Sequence, residues 1–168
     1  MSYSDLDRYS RTFAAYLQQS LGLIKGERIA IMMPNILQYP FVLFGALRAG
    51  LIVVNINPLY TPRELAHQLN DAGVHTIVLL ENFAHVLASC IDSTPVRNVL
   101  ITRIGDMSSF PKSALMNFGA KYIRRLVPRY DLPGQVSLSR ALDEGNSCTF
   151  KHVEVGPDDL AFLQYTGG

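Results

Sequence analysis

This sequence has almost no excess of charge of one sign: 15 lysines and arginines stand against 14 aspartates and glutamates. A net charge of +1 raises no long-range field able to draw a protein onto a polyanion, which excludes nucleic acid as the expected partner. Cysteine is scarce as well. Cys90 and Cys148 have neither C-x-x-C spacing nor the density of a disulfide scaffold, so they read as free thiols of a cytoplasmic protein. The four histidines, His67, His75, His85 and His152, fall into no H-E-x-x-H or Cys/His ligand pattern, and no serine stands in G-x-S-x-G. Neither a metal site nor a hydrolase nucleophile is expected, and His67 is expected as a surface or packing residue. Near the N-terminus Asp5, Asp7, Arg8 and Arg11 interrupt any apolar run of the kind a secretory signal needs. The longest nearly apolar stretch, "FVLFGALRAGLIVV", has 14 residues with Arg48 inside it. About 18 are needed to cross a bilayer as a helix, so this is a core segment. There is no internal repeat and no low-complexity tract.

What is present is a core. With 48% hydrophobic and 17% charged residues, the chain can bury enough apolar surface for one domain. "YSDLDRYSRTFAAYLQQSLG" carries Leu6, Tyr9, Phe13, Tyr16 and Leu17 at helical spacing, with Ser4 and Asp7 as capping box and Gly22 as stop. "ERIAIMMPN" and "LIVVNINP" are short apolar runs that read as buried strands, and "ILQYPFVLFGALRAG" between them has helical length and ends on Gly50. In "TPRELAHQLNDAG", Thr61 is an N-cap, Pro62 holds the first helical position and Glu64 is the capping partner three residues on. "HTIVLLE" and "VRNVLITR" are two further strands around the helix "FAHVLASCI"; "LSRALDEG" is a short helix, and "GPDDLAFLQYTGG" a turn into a last strand. Apolar strands alternating with helices predict an α/β fold, with a doubly wound, mainly parallel sheet and helices on both faces.

From about residue 104 to 136 the alternation breaks. Leu115, Phe118, Tyr122, Ile123 and Leu126 share one helical face, with Lys121, Arg124 and Arg125 on the other and Pro128 as terminator. This basic amphipathic insertion carries a net +3 against −2 for the remainder of the chain. Its cationic face is either simply solvated or turned to an anionic membrane through Lys121, Arg124, Arg125 and Arg129.

Parallel sheets bind ligands outside the carboxyl ends of their strands. That directs attention to Asn55–Thr61 and to the final Tyr165, Thr166, Gly167 and Gly168. A strand that runs into hydroxyl and glycine residues can turn backbone N–H groups toward a phosphate. Taken alone, these four residues fit an ordinary turn too, and no G-x-x-x-x-G-K-[ST] pattern accompanies them. In the other stretch, Thr61, Pro62 and Glu64 already have a structural task as helix caps, so no catalytic residue is assigned there.

The ordered blocks "GERIAIMMPN", "ALRAGLIVVNINPLYTPREL" and "DDLAFLQYTGG" resemble the first part of the adenylate-forming enzymes, the superfamily of acyl-CoA synthetases, luciferases and peptide-synthetase adenylation domains. Through "QYPFVLFGALRAG", "NPLYTPRELAHQLNDAG" and "KYIRRLVPRYDLPG" the chain is most similar to bacterial long-chain fatty acid CoA ligases. The resemblance implies that residues 1–168 are a single partial domain, a fragment of the large N-terminal domain cut through a loop. It makes Tyr165, Thr166, Gly167 and Gly168 the first half of a loop that holds ATP phosphates, with Gly167 standing where many relatives have serine. It further implies ATP with Mg²⁺, CoA as co-substrate and a fatty acid as substrate, in an ATP-dependent acid–thiol ligase. No catalytic residue lies within the chain on that reading, and the fragment alone is expected to be inactive. A homodimer, and a cytoplasmic protein held peripherally on the inner face of the membrane, complete the expectations. The alternatives are a non-catalytic nucleotide-binding or interaction domain, and an adenylate-forming enzyme for a different carboxylic acid.

Overall fold

The computed structural model describes residues 1–107 and 127–165. Helix α1 (Tyr3–Gln19) leads into β1 (Arg28–Met32), α2 (Gln38–Arg48), β2 (Ile52–Asn55), α3 (Pro62–Asp71) and β3 (Thr76–Leu80). A short helix α4 (Ala84–Ala88), flanked by single 3₁₀ turns, leads to β4 (Asn98–Thr102). The strand β5 (Val136–Ser137), α5 (Leu138–Asn146) and the strand β6 (Phe162–Leu163) follow. All five strand pairs are parallel, in the order β5-β4-β3-β1-β2-β6.

Alternation along β1 assigns its residues to two cores. Ile29 and Ile31 face a core shared with α1, α2 and α5, whereas Ala30 and Met32 face a second core beneath α3 and α4. Each face is thus covered by helices, as continuous apolar strands require. Close approach has a visible cause on the first face: a Cβ on Gly45 would meet Phe13 Cδ1 at 2.8 Å, and one on Gly145 would overlap the Thr12 carbonyl. On the second face Leu65 and Leu69 are fully buried, each contributing about 1.5–3 kcal/mol by leaving water.

Most elements lie where the sequence places them, with differences at ends. The capping box of α1 is Ser2 and Asp5, two residues before the expected Ser4 and Asp7. The S-x-x-D pattern occurs in both registers, and the earlier one wins because it lets the helix gain a further half turn. Gly22 does sit in the left-handed region, at φ 67°. Around Thr61, Pro62 and Glu64 the cap forms as expected, Thr61 Oγ1 accepting from the Glu64 N–H while Glu64 Oε2 accepts from the Thr61 N–H at 2.8 Å. Val136, read as the end of the insertion, belongs to β5, which pairs with β4 for only two residues. The last strand is likewise two residues long. The helix expected over Leu115–Val127 falls almost wholly outside the described residues, as do Lys121, Arg124 and Arg125; Arg129 is exposed.

Candidate phosphate-turn site

The sheet grows in both directions from β1, and the carboxyl ends of its strands all lie on one edge, where such folds hold ligands. Two polar clusters form there, and the first turn of α2 touches both. Gln38 Nε2 donates to the Arg103 carbonyl after β4 at 2.8 Å, and Tyr39 Oη donates to Asn55 Oδ1 at the end of β2 at 3.0 Å.

The cluster at β2 and β6 contains the described part of the expected site. Strand β6 lies beside β2 in the register Val53↔Phe162 and Val54↔Leu163, so Asn55 and Gln164 each follow one residue later. Gln68 Nε2 of α3 donates to the Asn55 carbonyl at 3.1 Å, and the Ile56 N–H donates to the Ile31 carbonyl at 3.0 Å. Beyond them Asn57 Oδ1 accepts from the Leu59 N–H at 3.0 Å, an Asx turn that delivers the chain to the Thr61 cap. Glu64 accepts the Thr61 backbone N–H and hydroxyl, and these hydrogen bonds hold its carboxyl below the usual range. Both residues are consumed by capping, as the sequence suggested.

Tyr165 packs with Leu163 and Tyr60 against the second core, and its phenol donates to Asp71 Oδ2 at the last residue of α3. Burial, and then the Asp71 carboxylate, push that phenol up to about 12, so it is a proton donor at any neutral pH. Sequence reasoning selected Tyr165 and missed Asp71, Gln68 and Tyr39, whose links to this end of the sheet are not local. The one signal available for Asp71 was a carboxylate on the final turn of a helix, where the dipole disfavours it. Thr166, Gly167 and Gly168 lie outside the described residues.

The second cluster closes on an ion pair. Glu81, buried immediately after β3, accepts from Arg103 Nε at 3.2 Å and from Tyr130 Oη at 3.2 Å. Asp106 Oδ2 accepts from the Arg103 N–H at 2.7 Å and from Thr102 Oγ1 at 3.2 Å. An open cavity of about 350 Å³ beside them is lined by Arg103, Asp106, Tyr130, Gln135, Ser137 and Ser139. The Arg103 guanidinium is paired with Glu81, and Asp106 adds a second carboxylate nearby, so this corner lacks the positive charge a phosphate needs. Among the described residues no group of His, Cys, Asp and Glu converges as for a metal ion, and His67 is exposed. Cys90 and Cys148 are free thiols, and no helix of the described residues is long and apolar enough to cross a membrane.

Comparison with known proteins places the chain in a family. The family model described as "AMP-binding enzyme" matches residues 1–168. A long-chain-fatty-acid–CoA ligase of Escherichia coli O157:H7 is 58% identical over 168 residues, which are all of this chain and 30% of that protein. The ligase of the same name from Bacillus subtilis is 33% identical over 170 residues, again covering 100% of this chain and 30% of the relative. The chain thus spans under a third of the length of the curated relatives it matches. Among solved structures, a long-chain-fatty-acid-CoA ligase from Archaeoglobus fulgidus superposes with a TM-score of 0.75 over 100% of this chain and 28% of its own, at 24% identity, which speaks for the fold.

Proposed function

Because this chain belongs to the AMP-binding enzyme family, we propose that it is part of an ATP-dependent long-chain fatty acid–CoA ligase and contributes the start of the loop that holds the ATP phosphates. The observation that carries the reading is Tyr165: it lies two residues beyond β6, the strand beside β2, at the carboxyl edge of the sheet, and is followed in sequence by Thr166, Gly167 and Gly168. In the proposed reaction a fatty carboxylate oxygen attacks the α-phosphorus of ATP, the bond to the bridging oxygen breaks, and pyrophosphate leaves with the electron pair. The thiolate of CoA then attacks the acyl carbon and AMP departs. Mg²⁺ on the phosphates supplies charge neutralisation. The residues described here do no bond chemistry in this scheme; they place backbone donors where phosphate charge is to be met. Tyr165, Thr166, Gly167 and Gly168 are the residues assigned to nucleotide binding.

Two measurements test the reading. The full-length protein, given oleate, ATP, Mg²⁺ and CoA, should form oleoyl-CoA and release pyrophosphate, whereas residues 1–168 alone should do neither. Turnover only with an aromatic acid such as 4-coumarate would replace the fatty acid by another carboxylate, and no turnover with any acid would favour a binding module. We extend the proposal to a peripheral contact with anionic lipid through Lys121, Arg124, Arg125 and the exposed Arg129. About 1 kcal/mol per basic residue near such a surface permits reversible docking. Co-sedimentation of full-length protein with anionic vesicles should then weaken when all four become Gln; equal sedimentation at low and physiological salt would refute it.

A further inference from the structure

Strand β6 holds the chain to the sheet through two registered residues only, and its Phe162 is 42% exposed. So short an edge ladder sets poorly the direction in which the following turn leaves the sheet. Donors that meet a phosphate must be held within about 0.5 Å of their working positions. Something besides the ladder has to hold them.

Helix α3 provides two attachments at this point. Gln68 and Asp71 are three residues apart and therefore share one helical face. Gln68, 2% exposed, donates to the last carbonyl of β2, beside the residue that follows β6. Asp71 accepts the phenol of Tyr165. The placement of Asp71 is informative because a carboxylate on the last residue of a helix opposes the helix dipole, and it forms no capping bond there. Its partner across the gap is a phenol that burial and the carboxylate itself keep protonated. The ring of Tyr165 meanwhile rests on the same core as Leu65 and Leu69, so the contact fixes both the position and the rotation of the residue that opens the turn.

We propose that Asp71 and Gln68 are positioning residues for the glycine-rich turn, Asp71 by tethering Tyr165 and Gln68 by holding the carboxyl end of β2 against α3. This rests on the reading of the turn as a phosphate loop. Neither residue touches the reacting atoms; each acts through backbone it holds. The tether also gives α3 a task beyond covering the sheet: it is the support to which Tyr165 is tied.

The experiment uses the full-length protein and the variants Asp71→Asn, Asp71→Leu, Tyr165→Phe, Gln68→Met and the double Asp71→Leu/Tyr165→Phe. Initial rates of pyrophosphate release give kcat and KM separately for ATP and for oleate. Asp71→Leu and Tyr165→Phe should each lower kcat/KM for ATP about 5–20-fold, the loss expected of one charge-assisted hydrogen bond. The KM for oleate should stay within twofold. The double variant should be no worse than the worse single, because both remove one shared interaction. Asp71→Asn, which keeps an acceptor, should retain more activity than Asp71→Leu, and Gln68→Met should show a smaller loss on ATP of the same kind. Hydrogen exchange supplies a readout independent of turnover: amides of residues 164–168 should exchange at least threefold faster in Asp71→Leu while those of 65–69 stay protected. Tyr165→Phe keeps the ring packing and so remains informative should Asp71→Leu fold poorly. Unchanged exchange at 164–168 overturns the tether whatever the activity. Faster exchange in a protein that makes no acyl-adenylate leaves the tether standing and overturns the phosphate reading. Wild-type kcat/KM for ATP in Asp71→Leu and Tyr165→Phe overturns the positioning role while leaving the proposed function intact.

Discussion

At the ends of β3 and β4 the charged groups close on one another, Glu81 on Arg103 and Tyr130, with Gln38 of α2 on the Arg103 carbonyl, whereas at the ends of β2 and β6 the side-chain links run from α2 or α3 to a strand end or the residues just beyond it: Tyr39 to Asn55, Gln68 to the Asn55 carbonyl, and Asp71 to Tyr165. Both clusters stand on one edge of one sheet, and each retains a buried amide oxygen, of Gln38 or of Gln68, with no hydrogen-bond partner among the described residues. Incomplete pairing therefore does not separate them; charge and connection do. Glu81 is buried with both carboxylate oxygens engaged, so its partners hold strand ends and the loop at Tyr130 together as structure. The β2/β6 cluster joins helices to strand ends, one of them a two-residue edge strand, and so controls where the chain goes next. Removing a partner from the first should cost stability. Removing one from the second should cost placement.

The largest effect expected is from Leu69→Ala, which unseats α3 from the sheet and with it Gln68 and Asp71. Leu69 is fully buried, and the change should cost about 2–5 kcal/mol in chemical denaturation of the full-length protein. A loss under 1 kcal/mol would mean that α3 is not the rigid support the β2/β6 cluster needs. Next is Arg103→Gln, which leaves the Glu81 carboxylate buried with one hydroxyl donor. Full burial of such a pair would put the cost at about 3–5 kcal/mol, but the Arg103 side chain is 54% exposed, and screening reduces it to about 1–2 kcal/mol. Pyrophosphate release by that variant should stay within twofold of wild type; a selective rise in KM for ATP would erase the distinction between the clusters.

Thr61→Ala should follow, at about 1 kcal/mol by loss of one half of the capping box, with the Gln68 and Asp71 contacts preserved. Smallest is an alkaline effect. The Tyr165 phenol, raised to about 12, favours the folded state in its neutral form. That contribution is complete below pH 10, the ordinary phenol value, and is lost as pH rises from 10 through 12. Solvent screening keeps it under about 1 kcal/mol. Tyr130 is also raised, by burial first and then by Glu81, so its contribution disappears in the same direction. Denaturation at pH 8 and pH 11 should show a smaller alkaline loss in Tyr165→Phe and in Tyr130→Phe than in wild type, while only Tyr165→Phe impairs ATP use at pH 8. Equal alkaline losses in all three proteins would contradict both phenol contacts.

Much of this protein was legible from short-range pattern. The cap at Thr61, Pro62 and Glu64, the stop at Gly22 and the alternation of apolar strands with helices depend on residues within a few positions of one another, where backbone geometry and side-chain reach decide the outcome. Tyr165 was singled out for the same reason, as a strand end running into glycines. Pattern was ambiguous where it repeated, as with the two S-x-x-D registers before α1, and too weak where β5 and β6 shrank to two residues. Those strands form because a neighbour's ladder is already there to accept them, which no window of sequence contains. The contacts that distinguish the two clusters span the chain: Glu81 meets Tyr130 at a separation of 49 residues, and Asp71 meets Tyr165 at 94. Bringing such partners together is the work of strand order, and strand order is settled by which face of each helix finds a core to cover. Local chemistry thus determined the elements and the residue that opens the turn; only the packed sheet decided what holds that residue in place.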